Sequence, residues 1–404
     1  MTLPSVDDTT GRLARHNARV LMVAQALGGA SPPIVVSLGG LIGQMMVPGS
    51  ALVTLPISLF NLGLAAGALP AAFLMRRFGR RAGYLTGALI GAAAGLIATA
   101  GIVLGLFWLF CLGTTVAGAY GSYVQSYRFA ATDSAPPALR ARAISLVMIG
   151  GLFSAVIGPQ LVIFTRDAMP GQPFAGSFVS QTGLALLALP VLALLRAPAI
   201  AAQPRGGGGR PLRRILINPR FMLALAAGIV SYGLMTFLMT AAPIAMVGCG
   251  HTVGEAALGI QWHVLAMFAP SFLTGRIIAR FGKELVTAAG LVLIAVSALA
   301  ALRGTGVADF WAALVLLGVG WNFGFIGATA MIADCHDEQE RARVQGANDF
   351  LLFGSVAIAS FLSGSLLHSG GWQWLNGLVF PVVALVLVPL LVVAARRQKR
   401  IAPL

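Results

Sequence analysis

Apolar and polar positions along this chain segregate into long blocks. Twelve apolar blocks, at 20–46, 51–75, 82–104, 107–131, 142–165, 176–195, 221–246, 256–279, 285–302, 309–332, 346–367 and 374–395, are separated by short polar stretches. A bilayer core of roughly 30 Å takes about 20 helical residues to cross. Most blocks meet that length, and none is broken by the strict alternation of a half-buried strand. The pattern predicts an all-α membrane protein with twelve transmembrane helices. Before the first block, Met1 to Thr10 is polar and carries Asp7 and Asp8; the block itself is too long for a signal-peptide core, so it reads as an uncleaved span.

The basic residues give the blocks an orientation. Lys and Arg concentrate in the cytoplasmic loops of membrane proteins. Of the 27 here, 25 fall before span 1, after spans 2, 4, 6, 8 and 10, or in the tail; only Arg166 and Arg303 fall on the other side. A wrong span count would scramble this alternation. Residues 1–19, 197–219 and 396–404 are therefore expected in the cytoplasm.

Composition narrows the class. The chain is 58% hydrophobic and 10% charged, against about 25% charged in soluble domains. With 50 Gly and 21 Pro it has the residues that membrane helices tolerate best. The net charge of +15 sits at span ends and not on one face of a module, which argues against a nucleic-acid partner. The three cysteines have no metal or disulfide spacing, and Cys335-His336-Asp337 has no second ligand pair beside it. No metal and no cofactor are expected. No HExxH or GxSxG motif and no paired intramembrane acids occur, so the chain does not read as an enzyme.

The chain also repeats itself. Asn17-Ala18-Arg19 echoes Asn218-Pro219-Arg220, and Arg77-Phe78-Gly79-Arg80 echoes Arg280-Phe281-Gly282-Lys283. Asp133 with Arg140 and Arg142 echoes Asp334 with Arg341 and Arg343. Three matches in order, at offsets of 201 to 203, imply a duplication of six spans. The expected organisation is two pseudo-symmetric six-helix halves, 1–196 and 220–404, joined by a linker at 197–219. Gly206 to Gly209 in that linker lack the Gly-Lys-Ser/Thr ending of a phosphate loop.

This plan, with its basic central loop, resembles the major facilitator superfamily. The likeness is carried by the loops after spans 2 and 8, where that family has Gly-x-x-x-Asp-Arg/Lys-x-Gly-Arg/Lys-Arg/Lys. The first copy here has Ala72, Arg76, Arg77, Gly79, Arg80 and Arg81; the second has Gly275, Ala279, Arg280, Gly282 and Lys283. Both lack the acid, and Arg76 reverses its charge. Gly158-Pro159 is similar to the family's span-5 motif. The resemblance implies a transporter working by alternating access on a small molecule bound near the midplane, with the lipid bilayer around it and the chain acting as a monomer. Arg76, Arg77, Gly79, Arg80, Asp133, Arg140, Arg280, Gly282, Asp334, Arg341 and Asp349 take the gating roles. In the family the missing acid latches to the start of span 11; here Asp349 at that place is a partner for Arg76, with ordinary positive-inside placement of Arg76 as the alternative.

Stretches 25–33, 123–129, 261–263 and 320–323 further resemble a bacterial group of that superfamily that includes riboflavin permeases. That makes a flavin the first substrate to consider, with a multidrug or metabolite exporter as the alternative. Spans 1, 4, 7 and 10 line the family's cavity, which points to Gln25, Tyr120, Tyr123, Gln125, Tyr232, Trp321 and Asn322, with helix packing as the competing role for each. Tyr120 and Trp321 correspond at offset 201 and suit the two sides of a planar ring. His263 is the one histidine inside a span; it either accepts a coupling proton or stays neutral in a hydrogen bond.

Overall fold

The computed structural model describes residues 6–133, 135–196, 210–337 and 339–401. Among them the chain forms fourteen helices and no strand. It divides into two compact units, Met1–Ala202 and Gln203–Leu404.

In the first unit, α1 (Val6–Gly28) and α2 (Ser31–Met46) make the first span, broken where Gly28 and Gly29 precede Pro32 and Pro33. Prolines at the start of a helix cost nothing there, because their missing N–H has no helical partner anyway. The helix begins well before the apolar block, at Val6 and not at residue 20, since helical geometry continues into the polar segment. Next comes α3 (Leu55–Val103), a single helix by hydrogen bonding but divided at Gly79, whose φ of 84° and ψ of 161° interrupt it between the second and third blocks. The remaining members are α4 (Phe107–Asp133), α5 (Pro137–Thr165) and α6 (Ala175–Ala193).

The second unit opens with the short α7 (Leu212–Leu216) and continues with α8 (Pro219–Gly248). The eighth block is two helices, α9 (Val253–Phe268) and α10 (Ser271–Phe281), bent by 43° at Ala269-Pro270. Then follow α11 (Lys283–Arg303), α12 (Val307–Ala333), α13 (Arg341–Gly377, interrupted at Gly371) and α14 (Val379–Ile401). Among the described residues eight helical segments are long and apolar enough to cross a membrane, α1 with α2 counting as one and α3 as one, and nine with the bent pair. The tyrosines, serines and Gln125 of α4 lower its hydropathy, so it is absent from that set. The linker's residues 197–209, with Gly206 to Gly209, lie outside the described residues; beyond them Ile215 of α7 is buried.

Small residues set the packing of the first unit. Without a hydrophobic driving force between helices in lipid, close approach over small side chains supplies the van der Waals contact. On α3, Gly87 and Gly91 face the α4 tyrosines: a methyl group at Gly87 would lie 2.7 Å from the Tyr123 ring, and one at Gly91 2.6 Å from that of Tyr120. No larger side chain fits either place without displacing a ring.

Candidate functional site

The second unit gathers five aromatic side chains. Trp321 and Phe325 lie one turn apart on α12, a spacing that puts both on one helix face. Their rings stack at 5.2 Å with an interplanar angle of 17°. Tyr232 of α8 meets Trp321 edge-on at 5.4 Å and Phe325 at 5.2 Å. Phe353 of α13 reaches Tyr232 at 5.8 Å, and Phe268, the last residue of α9, meets Trp321 at 6.2 Å. These are the edge-to-face and offset geometries that ring quadrupoles favour. Trp321 is 7% exposed and its partners are half-buried. The indole Nε1 of Trp321 and the hydroxyl of Ser231 are buried with no hydrogen-bond partner among the described residues.

Asn322 is the next residue along α12, so it points about 100° away from Trp321 and does not join the rings. Its side chain binds the break in span 8. Nδ2 donates to the Met267 carbonyl and to Ser271 Oγ, each at 2.6 Å, and Oδ1 accepts from Thr274 Oγ1 at 2.5 Å. A broken helix leaves carbonyls without amide partners, and in lipid these must be satisfied by protein; Asn322 does this for Met267. His263 is fully buried with Nδ1 at 2.7 Å from the Leu314 carbonyl, a bond that holds α9 to α12.

The first unit treats its candidates differently. Tyr120 is 1% exposed, with its ring on Gly91 and its hydroxyl against Gly28 at the break of span 1. Tyr123 packs on Gly87 in the same way. Gln25 is half-buried, and its amide and the Ser154 hydroxyl come together over Gly29, where a methyl group would meet both within 2.8 Å. Gln125 is exposed and apart from these.

The gating candidates fall into matched local structures. Gly282 has φ 87° and ψ 158°, nearly the values of Gly79, a left-handed conformation that favours glycine. Arg80 Nε pairs with Asp133 Oδ2 at 2.7 Å, and Lys283 pairs with Asp334. It is Lys283, and not Arg280, that matches Arg80 in this role. Asp334 also receives Arg220 at 2.9 Å, and Arg220 reaches the buried Glu284 at 3.5 Å. Arg140 Nε donates to the Ala135 carbonyl at 3.3 Å, and Asp349 accepts from Asn348 at 3.0 Å. The guanidinium groups of Arg76, Arg77 and Arg280 lie over the rings of Phe73, Phe78 and Phe281. Arg341 is exposed at the start of α13.

Sequence reasoning missed the most heavily bonded ion pair. Arg210 grips Glu340 through Nε at 2.9 Å, Nη2 at 2.7 Å and its own backbone N–H at 2.6 Å, and Nη2 also donates to the Cys335 carbonyl at 3.0 Å. The Asp337 amide donates to the same carboxylate at 3.0 Å. These bonds, the Arg210 side chain first, hold the Glu340 carboxyl down at about 2. An acidic residue three positions after Asp337 in a polar loop was the available signal.

Comparison with known proteins decides the family. The family model described as Major Facilitator Superfamily matches residues 19–269 and 235–403. The chain belongs to the major facilitator superfamily. It is 66% identical to the riboflavin transporter RfnT of Brucella anthropi, over 95% of this chain and 97% of that one. It is 33% identical to the uncharacterized MFS-type transporter YdeG of Bacillus subtilis, over 94% and 92%. Among solved structures it is similar to the E. coli fucose:proton symporter, with a TM-score of 0.60 at 17% identity, covering 93% of this chain and 98% of that chain; this likeness bears on fold alone. The chain is thus a multi-pass membrane transporter of a small molecule and not an enzyme. Within the superfamily its signature loops keep the turn glycine and the basic residue paired to an acid on the next helix, while Arg76 and Ala279 replace the motif acid.

Proposed function

We propose that this chain takes up riboflavin across the bacterial inner membrane, as a monomer, by alternating access, with both termini in the cytoplasm and no nucleic-acid partner. The observation that carries the reading is the 66% identity, over nearly the whole of both chains, to a protein named as a riboflavin transporter. The chemistry of the aromatic cluster agrees with it. The isoalloxazine ring is planar, uncharged and rimmed with hydrogen-bonding atoms, and the second unit offers ring faces with buried donors that have no partner among the described residues. The 25-to-2 division of basic residues supports the orientation. Of the candidate site residues, Tyr232 and Trp321 are proposed to touch the substrate and His263 and Asn322 to hold the helices that carry them. Gln25, Tyr120, Tyr123 and Gln125 are proposed as the first unit's contribution, and the signature-loop residues with Arg76 and Asp349 as gating groups.

The test is growth. Expression in a riboflavin auxotroph lacking its own uptake system should permit growth on micromolar riboflavin and raise accumulation of labelled riboflavin at least several-fold. Resistance to assorted drugs in a sensitive host without riboflavin accumulation would overturn the reading in favour of an exporter.

A further inference from the structure

We infer that the Trp321–Phe325 pair is a ring-binding subsite contained within the second unit, in which the Trp321 indole N–H donates to a carbonyl at the rim of a planar heteroaromatic substrate. The inference rests on the riboflavin reading and goes beyond it by assigning atoms.

The starting observation is an unsatisfied donor. A buried N–H with no acceptor gives up its bond to water and gains nothing, so such groups are rare and each has an explanation. Trp321 is 7% exposed, and its Nε1 has no partner among the described residues. A tryptophan whose only task was to fill volume would be served as well by phenylalanine, the residue at 268, 325 and 353 around it. The second observation is the setting. Phe325 stacks on the indole, and Tyr232 and Phe268 meet it at steep interplanar angles, so the ring is held in one orientation before any ligand arrives. The third is Ser231, fully buried, whose unpartnered hydroxyl lies against Gly324, on the turn of α12 between Trp321 and Phe325. Two unpaired donors beside one stacked pair match a ligand that is flat and apolar on its faces and carries acceptors on its rim. A dinitrogen ring with two carbonyl groups, the end of a flavin, has that form. An aliphatic sugar or an amino acid does not.

Asn322 fixes the geometry from behind. Because it ties α12 to both sides of the span-8 break, the indole next to it and Phe268 at the end of α9 are positioned by one bracket.

The experiment uses the purified full chain in lipid nanodiscs and reads quenching of flavin fluorescence, which stacking on an aromatic ring produces. Riboflavin and lumichrome, the tricyclic ring in its alloxazine form with no ribityl chain and the same two carbonyl groups, are the two probes. Trp321→Phe keeps a ring and removes the N–H; affinity for both probes should fall about three- to tenfold, the size of one net hydrogen bond. Trp321→Ala and Phe325→Ala remove ring contact and should weaken both by about tenfold or more. Should all three variants bind riboflavin as the wild type does, the subsite is wrong and the riboflavin reading stands. Trp321-dependent binding of lumichrome by a protein that ignores riboflavin would keep the subsite and overturn the riboflavin reading. A wild type that binds neither probe overturns both.

Discussion

The two units place aromatic side chains at corresponding positions and use them in opposite ways. Tyr120 and Trp321 match at an offset of 201, yet Tyr120 is folded onto Gly91 of α3 while Trp321 is turned into a cluster of rings. The reason lies on the neighbouring helix. Gly91 is matched at offset 203 by Ile294, whose side chain lies against Gly320 of α12. With that space filled by a branched chain, the aromatic residue of α12 takes another direction. Gly87 and Gly290 show the same exchange of sizes: the first receives the Tyr123 ring, the second the Gly324 backbone. A duplicated scaffold can thus keep its ends, with Gly79 and Gly282 in one conformation and Arg80–Asp133 and Lys283–Asp334 as one kind of pair, while its middle diverges.

The sharpest way to break this comparison is to give α3 the bulk that α11 has. Gly91→Leu would set a side chain where even one methyl group lies 2.6 Å from Tyr120. Overpacking of this kind costs about 1–3 kcal/mol or more. The variant should show the largest loss of monodisperse protein on size exclusion, and Gly91→Leu with Tyr120→Ala should regain part of it. In the second unit, Ile294→Leu conserves volume and should cost less than about 1.5 kcal/mol. Equal tolerance at 91 and 294 would show that the glycine is not what receives the tyrosine.

A smaller effect is expected from the bracket. Asn322 corresponds to Gly121 in the first unit, which has no side chain to offer. Asn322→Ala removes three hydrogen bonds, and interhelical bonds in membranes average about 0.6 kcal/mol each. Thermal unfolding in detergent should therefore report a loss of about 2 kcal/mol, with transport reduced as α9 and α10 lose their fixed angle. Gly121→Ala, whose added methyl group has its nearest neighbour 3.1 Å away in the flexible end of Leu64, should change stability less.

The contrast also shows what a sequence carries. The span blocks, the basic loops and the repeat were legible because each is a property of composition or order. The residues of the paired ends were marked by the repeat, which matches Arg80 with Lys283 and Asp133 with Asp334, but the pairing of base with acid was not. Nor were the roles of polar residues within spans. Nothing in the order Trp321-Asn322 says that one faces rings and the other a helix break, because that depends on where Pro270 bends a helix some 50 residues away. Phe268, Phe325 and Phe353 were passed over since phenylalanine in an apolar block is indistinguishable from lipid-facing filler. The break of α3 at Gly79 was marked by the motif, but the start of α1 at Val6 was not, as helix extent beyond the bilayer leaves no apolar signal.

The Arg210–Glu340 pair has no counterpart among the described residues of the first unit, where the position matching Glu340 is Leu139, packed on the core. With the folded carboxyl at about 2 and an ordinary value near 4.5, the pair's contribution is fully present above about 4.5 and is lost as pH falls toward 2. Trypsin cleavage after Arg213 and Arg214 reads whether the linker is held. Glu340→Gln should raise the cleavage rate at neutral pH several-fold. Unchanged protection would mean that α7 is held by Ile215 alone.

The smallest perturbation is a label on a native side chain. Loops 47–54 and 249–252 correspond at offset 201, and each contains a glycine with positive φ, Gly49 at 70° and Gly250 at 91°. A half with an even number of spans begins and ends on one side, so a direct duplication gives both loops the same sidedness. Cys249 is exposed, while Cys111 and Cys335 are buried. The proposed orientation puts Cys249 outside the cell, so an impermeant maleimide should label the wild-type protein on intact cells, and Cys249→Ser should abolish the signal without altering uptake. Pro48→Cys in that background should restore it, and a cysteine at Gly207 should be reached only after permeabilisation. Labelling at 48 without labelling at 249 would mean an odd number of spans between them, which would break the correspondence of the two halves at its root; labelling at 207 alone would keep the correspondence and reverse the orientation.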